Sequence, residues 1–489
     1  MRIPAILLAA CAAAFFAAPA SAAPKQFDTA VTDGGLFNTD PGLAFQRVRD
    51  AGAGFARLYV NWANIVPLGA TKPADFDAED PMDPGYDWAA LDGVVQAATA
   101  QGVSPILMFY DAPDWAERGN EGPTGTRKPA PAEVGNLGKA VASRYSGAIF
   151  GLPRVRYFQL WNEPNLYRYL MPQYETPFTQ NVPPDATDRV RSPEVYRKMI
   201  NAFARGVHGV ERDNIVIAGG LAPFGRPFGF RHAVPPLQFM RELFCMTADN
   251  KPKPDCKPVH FDIWAHHPYT EGGPNHSALD PNNVSLGDLP EMHKLLNAAL
   301  RADRVTSRSR VKFWVTEFSW ETDPPDSAGV PMKLHSRWLA EAFYRMWSNG
   351  VSLVTWFKLV DELEASRDEF KFQSGLYFAC ANGPSCDRPK RSFTAFRFPF
   401  VAFKADRKVR VWGRTPDGVP GKVLVEQRKN GRWRRLDQLR TNRHGIFRKR
   451  LRRRGGGEVR ARLADAPRER SVPFELKPTP DMAVTIFGH

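Results

Sequence analysis

Apolar, β-branched runs of five to seven residues recur eight times in the first 360 residues of the chain. Between them lie stretches with apolar residues at three- and four-residue spacing, such as 88–101, 192–211 and 335–349, which is typical of amphipathic helices. Strand and helix alternating eight times predicts a (β/α)8 barrel, with functional residues on the loops that follow the strands. The eight predicted strands are 27–31, 55–60, 104–110, 155–161, 214–219, 260–266, 311–317 and 351–357.

The pattern changes near residue 404. From there on, short runs that alternate apolar residues with arginine, such as RKVRVWGR, are joined by glycine-containing turns. These runs predict a small all-β domain that resembles an immunoglobulin-like sandwich. The predicted division is a barrel domain over 23–403 and a basic β domain over 404–489.

The first 22 residues have the layout of a secretory signal, with Arg2, a long apolar stretch and the small-residue end Ala-Ser-Ala. We therefore predict cleavage after Ala22 and a secreted, extracellular protein. The run ending at Cys11 also resembles a lipoprotein cleavage box, although the apolar stretch continues beyond it. No later segment approaches the roughly 20 apolar residues of a membrane span.

Export changes the interpretation of the cysteines. Apart from Cys11, four cysteines remain in two close pairs, Cys245 with Cys256 and Cys380 with Cys386. An even number at local spacing predicts two small-loop disulfides in an oxidising compartment. Neither pair has the CxxC spacing of a zinc site, so we predict no metal there.

The formal net charge is +14. Residues 404–489 hold 24 Lys and Arg against 9 Asp and Glu, and the rest of the chain holds 42 against 43. The positive charge therefore belongs to the C-terminal segment. It indicates either a solvated outer face or a surface for an anionic wall polymer or acidic polysaccharide. A nucleic-acid partner is not expected of an exported chain.

Two acidic residues stand at the carboxyl ends of predicted strands. Glu163 follows the fourth strand in the sequence FQLWNEPN, and Glu317 ends the seventh in FWVTEF. Parallel barrel strands bring both carboxyl groups to one cavity. Glycoside cleavage requires one carboxyl group to protonate the leaving oxygen and a second to attack or stabilise the anomeric carbon.

Together with HHPY after the sixth strand and Arg57 on the second, the WNEPN and WVTEF motifs resemble the retaining glycoside hydrolases of clan A. The chain is most similar to family 39, then to family 5, over most of residues 27–403. The resemblance implies Glu163 as general acid and base, Glu317 as nucleophile, and Asn162 as a ligand of the sugar 2-hydroxyl. It implies no cofactor.

Further residues are assigned to substrate binding. Arg57 and Tyr269 are expected beside Glu317, with an internal ion pair as the alternative for Arg57. His267 is expected to contact the sugar or to orient a carboxylate. Adjacent histidines on a strand point to opposite faces, so His266 and His267 do not predict a metal site. The resemblance makes Trp356 the aromatic floor of a sugar subsite. Tyr110, Trp62, Trp115 and Trp320 fit either the cavity rim or the core.

These features favour a secreted retaining glycosidase acting on a polysaccharide or oligosaccharide. The alternative is a non-catalytic carbohydrate-binding barrel at the cell surface. The presence of both acids at matching positions disfavours the second.

Overall fold

The computed structural model describes residues 25–176, 188–225, 233–254, 256–363, 372–452 and 455–485. The predicted signal segment 1–22, with Cys11, lies outside these ranges. Within them, no helix is long and apolar enough to cross a membrane.

The predicted barrel is confirmed. Eight parallel strands form a closed sheet in which each strand pairs with the next along the chain and the first pairs with the eighth. The strands are β1 (Asp28–Thr32), β2 (Phe55–Asn61), β3 (Ser104–Tyr110), β4 (Tyr157–Leu160), β5 (Ile215–Leu221), β6 (Ile263–His266), β7 (Lys312–Phe318) and β8 (Val351–Phe357).

Helices cover the outside of the barrel. They are α1 (Leu36–Thr39), α2 (Pro41–Asp50), α3 (Ala89–Ala100), α4 (Pro131–Arg144), α5 (Ser192–Val210), α6 (Pro236–Leu243), α7 (Leu289–Arg301), α8 (Met332–Ser348) and α9 (Arg391–Arg397). Short 3₁₀ turns lie at Trp62–Ile65, Asp114–Ala116, Leu286–Asp288, Pro384–Cys386 and Pro416–Gly418. The apolar stripe of α5, which includes Val195, Met199 and Phe203, is buried, as its spacing predicts.

The barrel interior changes from apolar to polar along its axis. At the amino-terminal end, the rings of Phe55, Tyr157 and Trp314 pack together, with centroids 5.3 to 6.0 Å apart. Nearer the carboxyl ends, the buried side chains include Arg57 and Gln159. The apolar layer closes one end, so a cavity forms only where the polar residues begin.

The C-terminal segment forms the predicted all-β domain. One antiparallel sheet has the order β9–β10–β13 and the other β12–β11–β14–β15. Its strands are β9 (Phe400–Ala405), β10 (Lys408–Arg414), β11 (Lys422–Lys429), β12 (Arg432–Arg440), β13 (Ile446–Arg452), β14 (Glu458–Leu463) and β15 (Phe474–Glu475). Because β9 begins at Phe400, the predicted boundary at 404 falls inside this strand.

The β domain packs directly on α8 of the barrel. The rings of Trp347 and Trp412 are 5.4 Å apart, and the Arg337 Nη1 donates to the Glu475 carbonyl at 2.9 Å. Two-residue strands complete the connections, at Val259–His260, Val305–Thr306, Thr322–Asp323, Val330–Pro331, Tyr377–Phe378 and Arg388–Pro389. The structure contains both predicted disulfides, Cys245–Cys256 and Cys380–Cys386, with Cα atoms 6.0 and 5.6 Å apart.

Helices α4 and α5 approach most closely at two glycines. A Cβ atom at Gly206 of α5 would overlap the Gly135 carbonyl oxygen and lie 2.8 Å from the Lys139 backbone nitrogen. Gly209, three residues later on the same helix, has no atom within 4 Å of such a Cβ. The contact between the helices therefore depends on missing side chains, and Gly206 has the least room for one.

We expect Gly206→Ala to lower the free energy of unfolding by about 1–3 kcal/mol, because the two helices must move apart. Gly209→Ala is the matched control and should be neutral or stabilising by up to about 1 kcal/mol, since alanine favours the helix. Urea unfolding of both variants measures the difference. Equal effects of the two substitutions would contradict the packing described here.

Candidate active site

A cavity of about 1450 Å³ opens at the carboxyl ends of the barrel strands, and Asn162, Glu163 and Glu317 line it. Both glutamates are buried, with 5% and 8% of their surfaces exposed. The structure therefore brings the two acids that the sequence singled out into one cavity.

The backbone around Glu163 is unusual. Trp161 has a φ of 72° and Glu163 a φ of 40°, in a region that residues other than glycine rarely adopt. The Glu163 N–H donates to the Gly220 carbonyl at 3.0 Å. Asn165 fastens the loop, because its Oδ1 accepts from the Ala222 N–H and its Nδ2 donates to the Val234 carbonyl. This loop geometry turns the Glu163 side chain into the cavity.

A bulge in β5 makes room for this arrangement. The register with β6 shifts between Gly219 and Leu221, so Gly220 is an extra residue, with a φ of 62°. A Cβ at Gly220 would lie 2.7 Å from Gln159 Nε2 and 3.3 Å from His267 Nε2. Glycine is therefore required here both by its conformation and by its close neighbours.

A second bulge positions Glu317. Between Val315 and Phe318, β7 has one more residue than the facing part of β8. Thr316 and Glu317 can therefore both reach the polar end of the barrel, although they are adjacent on a strand. Thr316 contacts His267, and Glu317 lines the cavity.

Three donors hold the Glu317 carboxylate. Its Oε2 accepts from Arg57 Nη1 at 2.9 Å and from the Tyr59 hydroxyl at 2.7 Å, and its Oε1 accepts from the Tyr269 hydroxyl at 2.9 Å. Burial, followed by the Glu317 charge, raises the pKa of both tyrosines well above the usual value. The phenols therefore stay protonated and continue to donate to Glu317.

Arg57 is fully buried and has a partner for each part of its guanidinium group. Besides Glu317, it donates from Nε to Gln159 Oε1 at 2.9 Å and from Nη2 to Asn162 Oδ1 at 2.8 Å. Arg57 lies beside Glu317, as expected, and this contact is at the same time the internal ion pair that was the alternative. Arg57 positions Glu317 and Asn162 and is itself inaccessible to a ligand.

Glu163 has a different environment. Its Oε1 lies 2.9 Å from His267 Nδ1, and His267 Nε2 lies 3.1 Å from the Thr316 hydroxyl. Burial, followed by repulsion from Glu317, raises the pKa of Glu163 well above its usual value. Burial and the Arg57 charge lower the pKa of His267 well below its usual value. Both shifts favour the neutral pair, in which a protonated Glu163 donates to Nδ1 and Nε2–H donates to Thr316.

An oxygen of Glu163, an oxygen of Glu317 and a nitrogen of His267 all lie within 4.8 Å of one another. Such a group can in principle hold a metal ion. Here the Glu317 oxygens already accept three hydrogen bonds, one from the Arg57 guanidinium. A cation would be repelled by Arg57, so the donor set fits carboxylate chemistry better than metal binding. His266 faces away, with its Nε2 on the Val284 carbonyl at 2.8 Å.

The structure corrects the expectation for Trp356. This side chain is fully buried, and its Nε1 donates to the Ser374 carbonyl at 2.8 Å. On β8, Leu353 packs in the barrel interior, and the alternation of a strand places Phe357 on the same side and Trp356 on the other. Phe357 and Lys358 line the cavity instead. The residue that the resemblance assigned is therefore one position before the aromatic that lines the cavity.

The other aromatic candidates divide between core and cavity. Trp62, Trp115 and Trp320 are buried in the core, whereas Tyr110 lines the cavity. The sequence interpretation missed Tyr59, although it lies two residues after Arg57 and so shares its face of β2. It also missed Gln159 and Thr316, which support Arg57 and His267. Nothing in their sequence context separates them from ordinary barrel residues.

The fold has known counterparts. It is similar to the structure of a family 39 glycoside hydrolase from Bacteroides cellulosilyticus WH2, with a TM-score of 0.52 and 16% identity over 88% of this chain and 81% of that chain. A glucosidase from Croceicoccus marinus aligns with a TM-score of 0.45 and 12% identity, over 88% of this chain and 94% of that chain. No protein-family model and no curated protein matches the sequence. The predicted likeness to family 39 is confirmed for the fold.

The Arg57–Glu317 pair is open to a double-mutant test. Arg57→Gln should lower the free energy of unfolding by about 3–5 kcal/mol, because it leaves a buried carboxylate without its cation. Glu317→Gln in the same chain removes that charge and should recover part of the loss. Denaturant unfolding of the two single variants and the double variant measures the coupling. Additive effects would contradict the contact.

Proposed function

We propose that the protein is a retaining glycoside hydrolase that cleaves O-glycosidic bonds of a polysaccharide or oligosaccharide by double displacement. The observation that carries the proposal is the contrast between two carboxyl groups in one cavity. Glu317 is held by a guanidinium and two phenols, whereas Glu163 is held by a neutral imidazole. Environments of this kind separate a nucleophile from an acid.

In this mechanism Glu317 attacks the anomeric carbon and forms a covalent glycosyl-enzyme. Arg57 and the two tyrosines fix the orientation of its carboxylate through one ion pair and two hydrogen bonds. One oxygen of Glu163 and one oxygen of Glu317 lie within 4.8 Å of each other. Retaining enzymes have carboxyl groups about 5–5.5 Å apart and inverting enzymes about 6.5–9.5 Å, so the spacing supports retention.

Glu163 is proposed to protonate the leaving oxygen and then to activate the water that releases the sugar. Its raised pKa keeps it protonated for the first step. A protonated His267 would hold Glu163 ionised, so the lowered pKa of this histidine serves the same end. In this mechanism His267 orients the acid.

Asn162 is proposed to bind the sugar. It lines the cavity between the two acids, and Arg57 fixes its amide oxygen at 2.8 Å. Its amide N–H groups are then the donors for a sugar hydroxyl. Phe357 replaces Trp356 as the proposed aromatic contact, because it lines the cavity.

Export and a polymer partner are part of the same proposal. The signal-like segment 1–22 and the two disulfides support secretion. The surplus of Lys and Arg in residues 404–489 supports an anionic wall polymer or acidic polysaccharide as partner. The competing function is a carbohydrate-binding barrel without turnover, which the same assays distinguish.

The division of labour is tested by chemical rescue. On an aryl glycoside with an acidic phenol, found from a broad panel, Glu163→Ala should still form the glycosyl-enzyme, and azide should restore turnover with retained configuration. On a substrate with a poor leaving group its rate should fall by about 10²–10⁴-fold. With Glu317→Ala, azide attacks the substrate directly and the product should be inverted.

The surface variant Glu291→Ala is the control and should behave as wild type, because this exposed residue on α7 is not part of the cavity lining. If Glu163→Ala gave the inverted product and Glu317→Ala the retained product, the roles of Glu163 and Glu317 would have to be exchanged. Wild-type turnover in both active-site variants, or no turnover of any panel member by the wild type, would overturn the proposal.

The pH profile gives a separate test. Glu163 is protonated below its raised pKa, so the rate on poor leaving groups should fall as the pH rises through that value. This alkaline limb should be absent for Glu163→Ala assayed with azide on the acidic phenol. If the alkaline limb persisted unchanged in Glu163→Ala, the fall in rate would have to come from the titration of another group.

A further inference from the structure

A second cavity, of about 420 Å³, lies where the sheet β9–β10–β13 meets α8, away from Glu163 and Glu317. Its lining combines aromatic and basic side chains, namely Tyr344, Phe403, Arg410, Val411, Trp412, Arg448, Lys449 and Arg450. The volume is within the range of about 300–1,000 Å³ for small-ligand pockets.

Aromatic rings form the floor of this cavity. The half-exposed rings of Tyr344 and Phe403 are 5.2 Å apart. Beneath them is the buried Trp412, whose ring is 5.7 Å from Tyr344 and 5.4 Å from Trp347. The floor is therefore built by residues of both domains, and its half-exposed rings can receive an apolar sugar face.

Arginines form the rim. Arg410 on β10 and Arg450 on β13 are directly opposite each other in the antiparallel pairing. Two residues further along β10, Trp412 is opposite Arg448 of β13. The Arg448 guanidinium lies 5.6 Å from the Trp347 ring centre. All three arginines are exposed. Lys408 and Arg452 form another opposed pair on the same face, so cations repeat about every 7 Å along the strands.

Within the part of the chain that the structure describes, no salt bridge to an acidic residue neutralises these cations. Among the salt bridges of the described residues, none includes Lys408, Arg410, Arg448, Arg450 or Arg452, whereas Lys449, which points to the other face of β13, pairs with Asp437 at 2.9 Å. Like charges opposite each other destabilise a sheet. The opposed cations around the aromatic floor therefore destabilise the sheet, and a negatively charged ligand would offset this destabilisation.

We propose that this cavity, termed the arginine pocket, binds a carboxylate- or sulfate-bearing sugar unit of an acidic polysaccharide. The arginines bind the anionic groups, which their planar fork matches in geometry, and Phe403 and Tyr344 carry the ring face. A pocket of this size can receive one or two sugar units, but it is too small to enclose a nucleic-acid duplex. The row of cations extends the contact along the polymer.

The test uses the full-length mature protein and measures affinity for polygalacturonate and chondroitin sulfate, which distinguish carboxylate from sulfate. Neutral dextran and single-stranded DNA serve as comparison polymers. Arg410→Gln with Arg450→Gln should weaken binding to at least one acidic polysaccharide about tenfold or more, the effect of losing roughly 1.4 kcal/mol. The matched control is Arg432→Gln with Arg434→Gln on β12, which removes the same charge from the other sheet and should change affinity less than about twofold.

Phe403→Leu separates the pocket from general charge attraction. It should weaken the acidic polysaccharide about threefold or more through lost ring contact, with little change for DNA. Equal losses in the two double variants would show that only net charge matters and would overturn the proposal. So would binding to neither acidic polysaccharide, or tighter binding to DNA than to both. Thermal unfolding midpoints confirm that the variants fold, and binding is measured without turnover, so failure of the hydrolase proposal is a separate result.

Discussion

The ion pair between Arg57 and Glu317 inside the barrel is the contact on which the candidate active site depends. A fully buried guanidinium is costly unless each of its donors is used. Here the acceptors include Glu317 on β7, Gln159 on β4 and Asn162 in the loop that follows β4. One side chain therefore fixes the relative positions of a carboxylate and an amide that both line the cavity. Arg57 also lowers the pKa of His267, so its charge acts on the second acid as well.

Irregular backbone is concentrated at the same place. Bulges in β5 and β7 and the positive φ angles of Trp161 and Glu163 all lie at the carboxyl ends of strands around one cavity. Regular strands alternate their side chains, which would send Thr316 and Glu317 to opposite faces. The bulge in β7 removes this restriction. Departures from regular geometry are thus what allow His267, Thr316 and both acids to meet.

Much of this could be predicted from the sequence, and the successes share a physical basis. Eight β-branched runs with intervening amphipathic stretches are strong periodic signals, and each observed strand overlaps its predicted range. Glu163 and Glu317 stood out because an acid at the end of an apolar run is costly unless it is used. The assignment of Trp356 came from the resemblance and was wrong, because residues on both faces of β8 are apolar and the sequence does not show which aromatic faces the cavity. Gln159 and Thr316 could not be predicted, because their partners Arg57 and His267 come close to them only in the closed barrel.

The junction between the two domains has a consequence for avidity. Only residues 398–399 separate α9 from β9, and aromatic packing on α8 fixes the β domain against the barrel. The two domains are thus not joined by a flexible linker. When a polymer binds in the arginine pocket, the local concentration of its glycosidic bonds at the active-site cavity is therefore not set by a linker. That concentration depends on whether the polymer itself can span the fixed distance between the two sites. Chains long and flexible enough to bridge would gain from dual engagement, and short oligomers would behave as if the β domain were absent.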